Sequence, residues 1–131
     1  MKGTIFLRLT AAALISLSGL SAGAADSLFK DPIISVRPKA IDFGTVSPNE
    51  TVTNSILVEN WGGGKLIGKA TVAKPFKVLS GGTYRLAPAD AQIVTITYKP
   101  TSAALDTNVV KFTGGGGALV SVTGQGTKKE K

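Results

Sequence analysis

Gln92-Ile93-Val94-Thr95-Ile96-Thr97-Tyr98-Lys99-Pro100 is the stretch that decides the fold. Val94, Ile96 and Tyr98 fall on one face, and Thr95 and Thr97 on the other, with Ile93 at the start. A period of two is that of a half-buried strand, because successive side chains point to opposite sides of a sheet. β-branched and aromatic residues suit that pleated surface. Pro100 has no N–H to give a ladder and ends the run.

The same grammar extends in both directions. Toward the C-terminus, Val109 to Thr113 and Leu119 to Thr123 flank Gly114 to Gly117, which reads as a hairpin with a glycine connection. Toward the N-terminus, Val52, Ile56 and Val58 share a face interrupted by Asn54. Thr53, Ser55 and Glu59 share the other, which Leu57 breaks. Shorter runs lie at 33–37 before Pro38, at 40–43 before Gly44, and at 66–72, 76–79 and 84–86. Glycine and proline punctuate them, and no stretch beyond the leader carries a sustained helical stripe. Such spacing predicts an all-β sandwich or small barrel, with facing sheets burying Val, Ile, Leu, Phe and Tyr.

The first residues are of another kind. Met1 to Arg8 carries Lys2 and Arg8 without an acid, Leu9 to Leu20 is uncharged and mostly apolar, and Ala22-Gly23-Ala24 is a small-residue cleavage pattern. This reads as a signal peptide over residues 1–24, cut after Ala24, with Ala25 as a second acceptable position. A retained anchor fits poorly, since a helix from Leu9 to Leu20 spans roughly 18 Å of a hydrocarbon core of about 30 Å. No cysteine follows to take a lipid, and no twin arginine is present, so the general secretory route is expected. The mature protein is therefore expected in the periplasm or secreted, without a transmembrane segment.

Cleavage after Ala24 leaves 107 residues, enough for one domain, and lowers the formal charge from +7 to +5. The chain has no Cys and no His. Thiol catalysis, thiolate metal sites and disulfide staples are excluded, and the commonest general base and metal ligand are missing. The acids are scattered along the chain, with no Asp-rich calcium loop. No catalytic residue, metal or cofactor is expected. Gly62-Gly63-Gly64-Lys65 lacks both the spacing and the helix of a phosphate loop. No aromatic pair stands among clustered basic residues, so no nucleic-acid partner is expected either.

Four short motifs in series carry a family resemblance. They are Ile41-Asp42-Phe43-Gly44, Val58-Glu59-Asn60-Trp61-Gly62, Val94-x-Ile96-x-Tyr98-x-Pro100 and Val120-x-Val122-x-Gly124-x-Gly126. Together they resemble the abnormal-spindle/Hydin-like (ASH) domain, an immunoglobulin-like group similar to major sperm protein domains and bacterial choice-of-anchor repeats. The resemblance implies an immunoglobulin-like sandwich of about seven to eight antiparallel strands over residues 33–126. Residues 25–32 then form a lead-in and 127–131 a basic tail. Gly44 is expected to turn the chain out of an edge strand, Asn60 to bond its own turn with left-handed backbone tolerated there, and the closing Gly-x-Gly to allow close packing or a bulge. Asp42 is expected to bond a neighbouring turn. The resemblance carries over no catalytic or ligand residue, and implies a binding or assembly module.

Trp61 stands where that family usually has a small polar residue. Two arrangements are open to it: an exposed anchor beside glycines, or a ring folded back to plug one end of the sandwich. The apolar area of indole favours the plug. Lys65 and Lys69 share a strand face about Ile67 and, with Trp61, are a candidate basic-aromatic binding surface, set against a solvated strand face. The function expected is an exported, non-enzymatic protein-interaction or assembly module of the cell envelope, with an unidentified protein partner. The alternative is a binding module for anionic glycan or lipopolysaccharide.

Overall fold

The computed structural model describes residues 30–128. The expected signal peptide with Ala22 and Ala24, the alternative cleavage position Ala25, most of the expected lead-in, and residues 129–131 lie outside them. Nine strands follow in order: β1 (Ile34–Arg37), β2 (Ala40–Val46), β3 (Val52–Asn60), β4 (Leu66–Thr71), β5 (Phe76–Ser80), β6 (Thr83–Leu86), β7 (Ala91–Tyr98), β8 (Leu105–Phe112) and β9 (Ala118–Gly126). They form a four-stranded sheet, β1-β3-β7-β5, and a five-stranded sheet, β2-β9-β8-β4-β6. No described residue is helical.

The chain changes sheet at each connection from β1 to β8, and the β8–β9 hairpin alone pairs consecutive strands. The glycine run makes that hairpin, with Phe112 opposite Ala118. Everywhere else a strand meets its partner across a long stretch of sequence. Two expectations are corrected here. The strands number nine, because the four-residue β1 and β6 make complete ladders with β3 and β4. The pairing is not wholly antiparallel, since β2 runs parallel to β9. A parallel pair needs a crossover connection and has no local sequence signature.

The alternation seen in the sequence is realised as burial. β7 turns Val94, Ile96 and Tyr98 inward, fully enclosed. Val36, Ile56, Val58 and Phe76 join them from the same sheet. Ile41, Phe43, Leu66, Tyr84, Val110, Phe112, Val120 and Val122 face them from the other. An aromatic group closes one region of this core: the Phe76 and Tyr98 rings stack at 4.8 Å, and Phe43 lies 5.7 Å from each. Tyr98 fits only because position 124 has no side chain; a Cβ there would run into the Tyr98 ring. The closing Gly-x-Gly thus serves close packing, as expected.

Gly44 is different from expectation. It does not end β2 but bends it from within, at φ 77°, where the pairing with β9 shifts register between Asp42 and Thr45. That left-handed backbone costs glycine nothing. The Asp42 carboxylate accepts the Gly44 N–H at 2.8 Å and holds the bend, which is the structural role expected of Asp42.

Candidate functional site

The site starts from a buried amide. Alternation along β3 places Val58 and Asn60 inward, and Asn60 is fully enclosed at the end of the sandwich. All four of its side-chain bonds are made. Nδ2 donates to the carbonyls of Gly64 at 2.9 Å and Leu86 at 3.0 Å. Oδ1 accepts the N–H of Gly62 at 3.0 Å and of Ile33 at 3.3 Å. Its backbone bonds the turn before β7, through Asp90 and Ala89. One side chain thereby ties β1, β3, the glycine turn and β6 together. Asn60 does bond its own turn, as expected, but it has no left-handed backbone; among the described residues Asn49 and Ala89 are the non-glycine positions with positive φ.

Asn60 occupies the place that an indole plug would have taken. The next residue in the alternation, Trp61, therefore points outward, and it is 65% exposed. The plug arrangement is corrected on that ground. The Trp61 ring is nevertheless held. Its Nε1–H donates to Glu59 Oε1 at 3.3 Å, and Arg37 Nη2 donates to the same oxygen at 2.9 Å. Its backbone N–H donates to Ile33 at 2.8 Å, placing Trp61 beside the exposed Ile33. Further along the same outer face, register sets Arg37 opposite Leu57 and Leu57 opposite Ile93. Ile93 is more than half exposed. The outer face of the four-stranded sheet thus carries an indole, a guanidinium and three aliphatic side chains around one carboxylate.

Lys65 and Lys69 lie elsewhere. Lys65 is exposed just before β4. Lys69 and Ile67 point out of the five-stranded sheet, since Leu66 and Ala70 point into the core. Trp61 and Lys69 therefore occupy opposite outer faces of the sandwich. Sequence reasoning missed Arg37, Ile33, Leu57 and Ile93 as neighbours of Trp61. Leu57 and Ile93 were visible as breaks in their strand patterns, but only the β1-β3-β7 register brings them together.

No group of three or more Asp, Glu, His or Cys that could hold a metal is found among the described residues. The groups with displaced titration are two tyrosines of the framework. Burial raises the Tyr84 hydroxyl, which donates to the Thr113 carbonyl. Burial also raises Tyr98, and the Asp106 carboxylate, which accepts its proton at 2.7 Å, raises it further.

No family model and no curated protein matches the sequence. Solved structures do match the fold. The ASH/PapD-like domain 7 of human CEP192 superposes with a TM-score of 0.62 at 16% identity, covering 94% of this chain and 99% of that one. The CARDB domain of PF1109 from Pyrococcus furiosus, solved with di-metal ions, gives 0.58 at 15%, covering 77% and 98%. SSP-19, an MSP-domain protein of Caenorhabditis elegans, gives 0.53 at 15%, covering 70% and 98%. The fold is thus the immunoglobulin-like sandwich of ASH, PapD-like and MSP domains, as the sequence motifs indicated. At these identities the likeness defines the fold alone.

Proposed function

We infer that the protein is an exported, non-enzymatic interaction module of the cell envelope, and that it docks a partner protein on the outer face of its four-stranded sheet. The observation that carries this reading is the exposed Trp61 indole, oriented by the Glu59–Arg37 pair. Trp and Arg dominate binding hot spots because they combine large area with directed polar groups. An indole already held by a hydrogen bond loses less freedom on binding than a free one. The partner that fits presents an apolar pocket for the indole and a carboxylate for Arg37. The signal-peptide reading of residues 1–24 supports export, and the absence of His and Cys supports a role without catalysis.

Docking by the face is favoured over docking by an edge. The edge strands are β1 and β5 in one sheet and β2 and β6 in the other. β1 and β6 have four residues each, while β2 and β5 are interrupted by register shifts. Short and bulged edges resist the addition of a strand. Purification of crosslinked complexes from cells making the native chain, Trp61→Ala or Arg37→Gln tests the reading. One discrete partner band, lost in Trp61→Ala and weakened in Arg37→Gln, is expected. A partner retained undiminished by both variants refutes this face.

A further inference from the structure

The opposite face carries a different chemistry. Register places Leu119 of β9 beside Lys111 of β8, and Lys111 beside Thr71 of β4. It places Ile67 of β4 beside Arg85 of β6, and Lys69 beside Thr83. All these residues point outward, because their sequence neighbours Phe112, Val120, Ala70, Leu66, Tyr84 and Leu86 fill the core. Cations and large aliphatics are thus interleaved across β6, β4, β8 and β9, at spacings of about 5 Å between strands and about 7 Å along them. Leu105 and Val109 extend the exposed aliphatic set along β8. The ion pair formed among the described residues joins Arg37 to Glu59 on the other sheet. Among the described residues Lys69, Arg85 and Lys111 have no carboxylate partner, and the acid on this face, Asp42, sits on the far strand β2 bonded to Gly44.

We propose that this outer face of the five-stranded sheet rests on an anionic phospholipid surface. Cations without a described carboxylate partner, set among exposed Ile and Leu, match a layer of phosphate headgroups over acyl chains. The cations are drawn to the negative surface and the aliphatics enter the boundary beneath it. A second copy of the chain is a poor occupant, since like charges would meet across the contact. A sugar polymer finds no aromatic ring on this face to stack upon. The consequence is an orientation: with the five-stranded sheet on the membrane, the Trp61 face is presented away from it.

The test uses the chain from Ala25, the expected mature form, since every core residue among those described lies between Val36 and Val122. Flotation with phosphatidylglycerol–phosphatidylcholine vesicles is compared with pure phosphatidylcholine vesicles. Binding to the anionic vesicles alone is expected, declining as salt rises. Lys69→Gln with Lys111→Gln should weaken partitioning roughly thirtyfold, from the loss of two surface cations. Lys77→Gln, on the other sheet, should leave it unchanged. Trp61 is the single tryptophan, so its emission reports which face docks. It should show no blue shift and stay open to an aqueous quencher, whereas Trp in place of Ile67 in a Trp61→Phe background should shift to the blue. Equal binding to neutral vesicles, an equal loss in Lys77→Gln, burial of Trp61, or retention on an acidic polysaccharide without vesicle binding each overturns the proposal. Far-UV circular dichroism of each variant separates a lost surface from a lost fold.

Discussion

Replacing Asn60 should be the most damaging single polar change in the domain. Asn60→Ala strips four bonds from an enclosed site. The bonds to Gly62 and Leu86 are buried, and each orphaned partner there costs about 1.5 kcal/mol. The bonds to Gly64 and Ile33 are partly buried, and water recovers part of their loss, leaving about 0.5 kcal/mol each. The expected cost is about 4 kcal/mol, a large share of the 5 to 15 kcal/mol that holds a domain of ordinary stability. Asn60→Asp sharpens the test. It keeps both acceptors but aims a carboxylate oxygen at the Gly64 and Leu86 carbonyls, so at neutral pH it should be at least as destabilised. The new carboxyl would titrate higher in the folded than in the unfolded chain. The variant's deficit relative to the native protein should therefore shrink as pH falls toward the ordinary aspartate value of about 4, where the protonated acid can donate to one carbonyl. Urea unfolding followed by far-UV circular dichroism measures both, since exposed Trp61 is a weak reporter of folding. An Asn60→Ala cost below about 1 kcal/mol, or an Asn60→Asp deficit independent of pH, refutes the reasoning.

Three further outcomes are expected. Gly124→Ala drives a methyl group into the Tyr98 ring, itself stacked on Phe76, and should cost about 1 to 3 kcal/mol by urea unfolding, with a change in the near-ultraviolet tyrosine signal. Alkali should unfold the protein, because Tyr98 and Tyr84 are both raised by burial. Their contribution is complete below the ordinary tyrosine value of about 10 and is lost as pH rises above it, while the unfolded chain ionises first. The urea midpoint should fall between neutral and strongly alkaline pH, and fall less in Tyr98→Phe. Trp61→Ala should change stability by no more than about 0.5 to 1 kcal/mol, since most of the ring is in water; a larger loss would assign Trp61 to the core.

Much of the sandwich was legible because burial here follows a period of two. Val94, Ile96 and Tyr98 read as one face and are one. The Gly114 to Gly117 turn and the Gly124 contact follow from glycine's missing side chain. What escaped was non-local. The parallel β2–β9 pairing joins elements some eighty residues apart, and neither strand signals it alone. The start of β8 at Leu105 was missed because Leu105 lies 68% exposed at the end of the five-stranded sheet, where the apolar pattern is weakest. Trp61 was misplaced for a simpler reason. The apolar area of indole argued for burial, whereas carrying the alternation of β3 one residue past Asn60 points the ring outward. The surface around it depends on register, so Leu57 and Ile93 looked like defects in separate strands rather than parts of one face.

The most direct measurement is site-specific photo-crosslinking in living cells. A photoreactive side chain is placed at Ile93, on the same outer face as Trp61, and in a second strain at Thr107, which points out of the five-stranded sheet. A discrete protein adduct from position 93, absent at position 107 and lost when Trp61→Ala is added, is the predicted result. Protein adducts arising equally from both positions, or only from position 107, would contradict recognition through the Trp61 face.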